Sequence, residues 1–244
     1  MSEDKPECPP ELPQSARLLK AAFAFPQADL WLGETADGTR VWKTWYRGKG
    51  FMKRRFGRFL AQRETRILKE LETTGAVPRV YTGSRQDTIE MEALKGHPLA
   101  ELFLAGDSPP LAYFDALKEL VREMHAHGIT HGDLGLNNLL FNPERPTQPL
   151  LLDFTQSLQF RMPPRWGLGG IYRMACRIDL ARVAKIKNRM FGGEHLEPDE
   201  RHYVEHPPWY LRLGRATRKK LYHPFRRRLS ANDPDDVTEP SRPE

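Results

Sequence analysis

Cysteine is nearly absent from this chain. It has two in 244 residues, Cys8 and Cys176. Two thiols so far apart in sequence build neither a disulfide framework nor a zinc-ligand spacing. Long apolar runs are missing too: none approaches the roughly 18 residues that a membrane-spanning helix needs. The start, Met1-Ser2-Glu3-Asp4-Lys5-Pro6, is acidic and carries a proline. An export signal has a basic start followed by an apolar stretch, so none is expected, and the expected compartment is the cytoplasm. No segment recurs at a fixed period, which argues against a solenoid. What is present is ordinary globular composition, 39% hydrophobic and 29% charged residues. The length suits one two-lobed domain or two small ones, with a substantial core. A net charge of +6 and a pI of about 9.4 favour anionic partners without choosing among nucleotides, phosphorylated substrates, acidic lipids and nucleic acid.

Residues 1–15, rich in Pro and Glu, and residues 231–244 read as disordered tails. Residues 30–45 read as a hairpin closed at Ala36-Asp37-Gly38. In its second strand Val41, Lys43 and Trp45 share a face, so Lys43 is either a snorkelling edge lysine or a phosphate-binding one. Residues 56–73 read as a helix, with Phe56, Leu60, Ile67, Leu68 and Leu71 on one stripe. Glu64 sits inside that stripe, four residues from both Leu60 and Leu68. A carboxylate there is costly unless it meets a cation, and Lys43 is the candidate. Residues 77–81 and 88–94 read as strands, broken by Lys95-Gly96-His97-Pro98. A second helix is expected over 111–127, with Pro109-Pro110 before it and Gly128 after it. A third is expected over 178–191, stopped by Gly192-Gly193.

The chemistry-bearing stretches lie between the last two helices. The first is His131-Gly132-Asp133-Leu134-Gly135-Leu136-Asn137-Asn138, and the second is Leu151-Leu152-Asp153-Phe154-Thr155. H-x-D-x-x-x-x-N, then an apolar strand, then D-F, is the order of groups that phosphoryl transfer from ATP requires. Asp133 would orient an acceptor hydroxyl and take its proton. Asn138 and Asp153 would hold magnesium, an ion that takes oxygen donors and keeps several waters. Lys43 would align the ATP phosphates, with Glu64 positioning Lys43. Residues 139–141 and 150–152 can pair across a Pro-rich turn, which would bring Asn138 and Asp153 to one end beside Asp133. The strand-to-loop exit at Glu92 to Leu94 is where backbone groups would hold adenine. Taken singly each residue has a plainer reading: His131 a packed loop histidine, Asp133 and Asn138 turn residues. Their joint order, with Lys43 and Glu64 upstream, is specific.

Over residues 28–192 the chain resembles the protein-kinase-like superfamily in its small bacterial branch. His131-Gly132-Asp133-Leu134 is similar to the loop of lipopolysaccharide core kinases (the Kdo and heptose kinases), of RIO-type kinases and of aminoglycoside phosphotransferases. Arg63-Glu64 and Leu180-Ala181-Arg182-Val183 look most like the lipopolysaccharide kinases. The resemblance implies an α+β, bilobal fold. A small β-rich N-lobe would span 16–94, and a mainly helical C-lobe 95–230. It implies ATP and Mg2+ as cofactors, Asp133 and Lys43 as catalytic groups, Lys43, Glu64, Glu92 and Leu94 at the nucleotide, and Asn138 and Asp153 at the metal. It further implies a sugar hydroxyl of lipopolysaccharide core as acceptor, at the inner face of a bacterial inner membrane. The alternative is a RIO-like serine/threonine protein kinase with a protein acceptor, and a third reading is a non-enzymatic adaptor that binds ATP without turnover.

The departures are informative. Only Gly33 and Gly38 lie between Leu30 and Lys43, so no G-x-G-x-x-G covers the phosphates. Position 135 is glycine where many protein kinases have lysine, and Phe154 is followed by Thr155 rather than glycine. Asp153 and Asp179 are only 26 residues apart and no A-P-E follows, which leaves little room for a protein-substrate platform. Asp179 would either brace the catalytic loop or cap a helix.

Two basic regions remain. Arg47, Lys49, Lys53, Arg54, Arg55 and Arg58 are interleaved with Tyr46, Phe51, Phe56 and Phe59. A second cluster runs from Arg212 to Arg228 with Trp209, Tyr210, Tyr222 and Phe225. Beyond a solvated basic face, the reading is contact with anionic lipid or glycolipid phosphate, each cation adding about 1 kcal/mol at an acidic membrane. Nucleic acid ranks third, since no recognisable module for it accompanies the charge.

Overall fold

The turn at Asp37-Gly38 closes an antiparallel pair, and Gly38 sits at φ +117°, where a side chain would be strained. The computed structural model describes residues 8–9, 12–22, 27–45, 51–81, 86–162 and 167–206. The cluster from Arg212 to Arg228, the tail 231–244 and residues Tyr46, Arg47 and Lys49 lie outside the described residues.

The N-terminal half is a five-stranded antiparallel sheet in the order β1-β2-β3-β5-β4. Its strands are β1 (Arg17–Lys20), β2 (Asp29–Thr35), β3 (Gly38–Thr44), β4 (Val80–Tyr81) and β5 (Thr88–Glu92). Trp31 pairs with Trp42 across β2 and β3, and Lys43 pairs with Ile89 across β3 and β5. Helix α1 (Phe51–Leu71) crosses between β3 and β4. Its Leu60 and Ala61 pack on Trp45, Ile89 and Met91. Gly57 allows the close approach: a Cβ there would lie 2.8 Å from Cβ of Trp45. The helix starts five residues before the apolar stripe predicts. Phe51 and Met52 are exposed, so the first turn leaves no burial periodicity to read.

The C-terminal half is mainly helical, as expected for an α+β chain. It holds β6 (His97–Pro98), α2 (Leu99–Ala105), α3 (Leu111–Ala126), β7 (Ile129–Thr130), β8 (Leu139–Phe141), β9 (Leu150–Leu151), β10 (Leu158–Gln159), α4 (Leu168–Phe191) and α5 (Pro198–Glu205). Tyr113, Phe114, Leu117, Val121 and Met124 of α3 are fully buried. They meet Leu139, Leu151, Phe154 and Val183, together with Ile67, Leu68 and Leu71 from α1. One core therefore runs from the end of α1 into the helical half and fixes where Glu64 sits. The expected pairing of 139–141 with 150–152 forms, with Leu139 opposite Leu151.

Three differences from the sequence reading have local causes. Helix α4 begins ten residues before position 178; nothing ahead of Asp179 in it is buried, so its first turns leave no burial periodicity to read. Helix α5 went unread, although Glu197 and Glu200 form a capping box with Pro198 in the first turn. It is pinned by charge: Lys118 reaches Glu197 at 2.7 Å, and Lys187 reaches Glu200 at 3.0 Å. The tail assigned to 1–15 is not loose where it is described. Leu12 is buried against Trp31 and Trp42, and its amide donates to the Pro9 carbonyl.

Candidate active site

Strand β3 delivers Lys43 to a buried position, and α1 brings Glu64 beneath it. Lys43 Nζ lies 2.9 Å from Glu64 Oε1, 2.7 Å from Asp153 Oδ1 and 2.7 Å from Thr155 Oγ1. Glu64 is 2% exposed, so the lysine resolves the cost that its place on the apolar stripe implied. Burial works against the Lys43 ammonium, but the Glu64 and Asp153 carboxylates outweigh it and hold its pKa above the usual lysine value. Burial likewise pushes Asp153 up, yet the adjacent Lys43 ammonium and the Thr155 hydrogen bonds hold its carboxyl well below the usual range. Both groups are therefore charged across the physiological range.

Thr155 does what a glycine could not. Its hydroxyl accepts from Lys43 and lies 2.6 Å from Asp153 Oδ1 and 3.2 Å from Glu64 Oε2. The Phe154 amide donates to Glu64 Oε1 at 3.2 Å, and Arg63 donates to the Thr155 carbonyl. The segment after β9 is thus tied to α1 by side chain and backbone together. Asp153 has φ +62° and, among the described residues, is the one non-glycine at positive φ. Such strain persists where surrounding contacts over-determine it, and it concentrates at functional sites.

The loop after β7 carries Asp133 and Asn138. Asp179 of α4 pins its start: Oδ2 accepts the His131 amide at 2.8 Å, and Oδ1 accepts the Gly132 amide at 2.9 Å. Asp179 lies inside α4 and is fully buried, so it is a loop brace rather than a helix cap. Its Oδ2 also meets His125 Nε2 at 3.1 Å. Burial alone would lower the pKa of His125, but the contacts with Asp179 and Cys176 together outweigh it and raise it to about 9. The ring of His131 packs against Phe154 at 4.7 Å between centroids, and its Nε2 lies 3.0 Å from the Leu152 carbonyl. Burial keeps this histidine's pKa below the ordinary value, so it is a neutral spacer joining the two motifs.

Gly132 is required by the loop geometry. It sits at φ +77°, and a Cβ would lie 2.8 Å from the Gln156 carbonyl oxygen. Gly132→Ala is expected to destabilise the fold by about 1–2 kcal/mol in a denaturant titration and to displace Asp133.

Asp133 is held at both oxygens, Oδ1 by Arg182 Nη1 at 3.3 Å and Oδ2 by Gln156 Nε2 at 3.1 Å. Asn138 Nδ2 donates to the Asp133 carbonyl at 2.8 Å, which leaves Oδ1 as the atom that can face a cation. The Leu152 amide donates to the Asn138 carbonyl at 2.9 Å, so Asn138 and Asp153 flank the same end of the β8–β9 pair. The bonds from Lys43 and Thr155 reach Asp153 through Oδ1, leaving Oδ2 on a side chain that is 48% exposed. One amide oxygen and one carboxylate oxygen are hard donors that suit Mg2+, with phosphate oxygens and water completing its shell. Among the described residues no group of three or more His, Cys, Asp or Glu is gathered for a metal. A cation at this pair would need nucleotide phosphates as co-ligands.

Glu92 and Leu94 stand where β5 leaves the sheet. The Glu92 amide donates to the Arg79 carbonyl and the Ala93 amide to the Thr39 carbonyl. Of the backbone groups expected to hold adenine, the Glu92 and Ala93 amides are thus committed within the sheet. A cavity of about 450 Å³ opens on this hinge and is lined by Val77, Arg79, Leu94 and Arg145 among others; Lys43, Asp133 and Asp153 do not line it. Of the first basic region, Lys53, Arg54, Arg55 and Arg58 lie on the opening turns of α1, with Phe51, Phe56 and Phe59 exposed. No helix among the described residues is long and apolar enough to cross a membrane.

The structure thus joins Lys43, Glu64 and Asp153 directly and Asp133 with Asn138 on one loop. The sequence reading assigned no role to Arg63, Thr155, Gln156 or Arg182 in this network. For Thr155 and Gln156 the available signal is their position directly after Asp153-Phe154; for Arg63 and Arg182 it is their place in the stretches Arg63-Glu64 and Leu180-Ala181-Arg182-Val183, with Arg182 one turn after Asp179. Replacing Lys43 by methionine leaves the Glu64 carboxylate buried without its cation. We expect a loss of about 3–5 kcal/mol in urea unfolding.

A family model of the RIO domain matches residues 43–166, half of the chain. The Bud32 subunit of the EKC/KEOPS complex from Encephalitozoon cuniculi is 37% identical over 79 residues, 32% of this chain and 40% of that protein. A probable bifunctional tRNA threonylcarbamoyladenosine biosynthesis protein from Methanosarcina mazei is 32% identical over 82 residues, 34% of this chain and 14% of that protein. The matches span less than half the length of these two relatives. Among solved structures, the Rio2 kinase of Chaetomium thermophilum in its ADP/Mg2+-phosphoaspartate complex aligns with TM-score 0.54 at 21% identity, over 79% of this chain and 62% of that one. The kinase domain of Rad53 aligns with TM-score 0.51 at 14% identity, over 74% of this chain and 66% of that one. These likenesses establish the protein-kinase-like fold.

Proposed function

The chain belongs to the RIO-domain family, and from that premise we propose that it is an ATP- and Mg2+-dependent phosphotransferase, a RIO-like kinase that phosphorylates a serine or threonine hydroxyl of a protein. The observation that carries this reading is Lys43 Nζ between Glu64 and Asp153, at 2.9 and 2.7 Å. That arrangement is joined through His131 and Phe154 to a loop bearing Asp133 and Asn138.

Lys43 would meet the phosphates, held in place by Glu64. Asn138 Oδ1 and Asp153 Oδ2 would hold the cation, and the Leu94 amide the adenine edge. Bound ATP would supply the γ-phosphoryl group, whose bond to the β-phosphate oxygen breaks as its bond to the acceptor oxygen forms, with Mg2+ neutralising the phosphate oxygens. Asp133 orients the acceptor hydroxyl and takes its proton late, as a loose transition state requires. Arg182 and Gln156 hold both Asp133 oxygens, so its carboxylate is aimed before an acceptor arrives.

The sequence favoured a lipopolysaccharide-core sugar over a protein, because little chain separates Asp153 from Asp179. The RIO-domain match and the Bud32 relative favour the protein acceptor instead. Labelled γ-phosphate from ATP, offered to a protein pool and to deacylated core oligosaccharide in parallel, separates them. We expect label on protein, abolished by chelating Mg2+. Label on oligosaccharide alone would restore the sugar-kinase reading. ATP binding with no turnover on either acceptor or on water would mark a binding module.

A further inference from the structure

The loop from His131 to Asn138 contains no lysine or arginine. Phosphoryl transfer places a dianionic group next to Asp133, itself an anion, so a positive charge is needed on that side. Lys43 does not reach it, being committed to Glu64, Asp153 and Thr155. The charge present beside Asp133 comes from another element. Arg182 of α4 places Nη1 3.3 Å from Asp133 Oδ1 and 3.1 Å from the Leu134 carbonyl. It stands three residues after Asp179, on the same face of α4, and Asp179 holds the amides of His131 and Gly132. One helical turn thus grips the backbone of the loop's start with an anion and its carboxylate with a cation.

Steric need does not explain why the loop lacks its own cation. Gly135 has φ −157° and ψ 167°, extended backbone that any residue adopts. A Cβ built there meets nothing within 4 Å. The loop could carry a long side chain at 135, two residues from Asp133. We infer that Arg182 is a positioning residue for the transfer step: it supplies from α4 the positive charge that the loop lacks at Gly135, and it keeps the Asp133 carboxylate aimed at the acceptor. The side chain is 32% exposed, so it reaches the cleft from a packed base rather than being locked in the core. A guanidinium engaged through one nitrogen keeps further N–H donors for a second anionic partner.

This inference rests on the proposed kinase activity, and its test separates the two. Mg2+-dependent turnover of labelled ATP is measured for the full chain, with nucleotide affinity and melting temperature read in parallel. Arg182→Ala is expected to lower kcat by about 10- to 100-fold, the effect of losing one charge-assisted hydrogen bond. The KM for ATP should stay within about twofold, since Lys43 and Leu94 are untouched. Adding Gly135→Lys to Arg182→Ala is expected to recover at least about tenfold of the loss by returning a cation to the same carboxylate. A purely structural arginine would not be rescued from a loop position.

Wild-type turnover with an unchanged Arg182→Ala variant would overturn the inference and leave the kinase reading intact. An Arg182→Ala protein that melts early and gains nothing from Gly135→Lys would overturn it too, as would a rise in KM with kcat unchanged. A wild-type chain that binds ATP without turning it over would overturn the kinase reading, and this inference with it.

Discussion

Asp133→Asn is expected to cut phosphate transfer by about 10²- to 10⁴-fold, the range for removing a positioned proton acceptor. Asparagine keeps the shape of the side chain, and its oxygen can still accept from Arg182 or Gln156. The loop backbone does not depend on this carboxylate, because Asp179 and Asn138 hold it. Nucleotide affinity and melting temperature should therefore stay near wild type while kcat collapses. Comparable loss of binding and of fold would show that Asp133 is structural. Retention of full activity would remove it from the mechanism altogether. The same measurement separates Asp133 from Asp153. Asp153 is bonded to Lys43, so an Asp153→Asn variant should lose Mg2+-dependent nucleotide affinity as well as rate.

Asp179→Ala is expected to destabilise the fold as strongly as Lys43→Met. The carboxylate is fully buried and takes two backbone amides and His125. Its removal leaves a buried imidazolium and two unpaired N–H groups. Breaking a buried pair in this way costs about 3–5 kcal/mol, readable as a drop in the urea midpoint. A variant as stable as wild type would show that water or a neighbouring group replaces it.

The same contact makes a pH prediction. His125 has its folded pKa raised to about 9, above the model-peptide 6.5. A raised pKa means the folded state binds the proton more tightly than the unfolded chain does. The stabilisation is complete below about pH 6.5 and drains away as pH rises to about 9. Denaturant midpoints measured from pH 6 to 9.5 should fall through that window. In His125→Gln the fall should be largely gone. Phosphate transfer by the folded protein should hold across most of that window and weaken only near pH 9, where folded His125 loses its proton and its bond to Asp179, the group that holds the His131 and Gly132 amides.

Much of the site could be read in one dimension. Asp133 to Asn138 and Asp153-Phe154 are short local patterns, and pairing β8 with β9 places their ends together. Glu64 was visible because a carboxylate interrupts an apolar stripe, and a buried anion demands a cation. The acceptor class was less legible. His131-Gly132-Asp133-Leu134 is similar to sugar, drug and protein kinases alike, so this loop does not discriminate among them. The RIO-domain match over 43–166 moved the balance toward protein, which the short stretch between Asp153 and Asp179 had argued against.

The linear order of residues was enough to establish the α+β class, the two motifs and the Lys43–Glu64 pair, because each leaves a periodic or short-range trace. Folding in three dimensions was needed for the rest. Lys43 meets Asp153 across 110 residues, and Arg182 meets Asp133 across 49. Contacts of that separation have no local signature, and a surface arginine on a helix reads as solvated until the helix is placed. The first ten residues of α4 are likewise invisible to periodicity, since none of them is buried. Helix α4 presents Asp179 and Arg182 to one loop only because the core built from α1, α3 and β8–β9 seats it there.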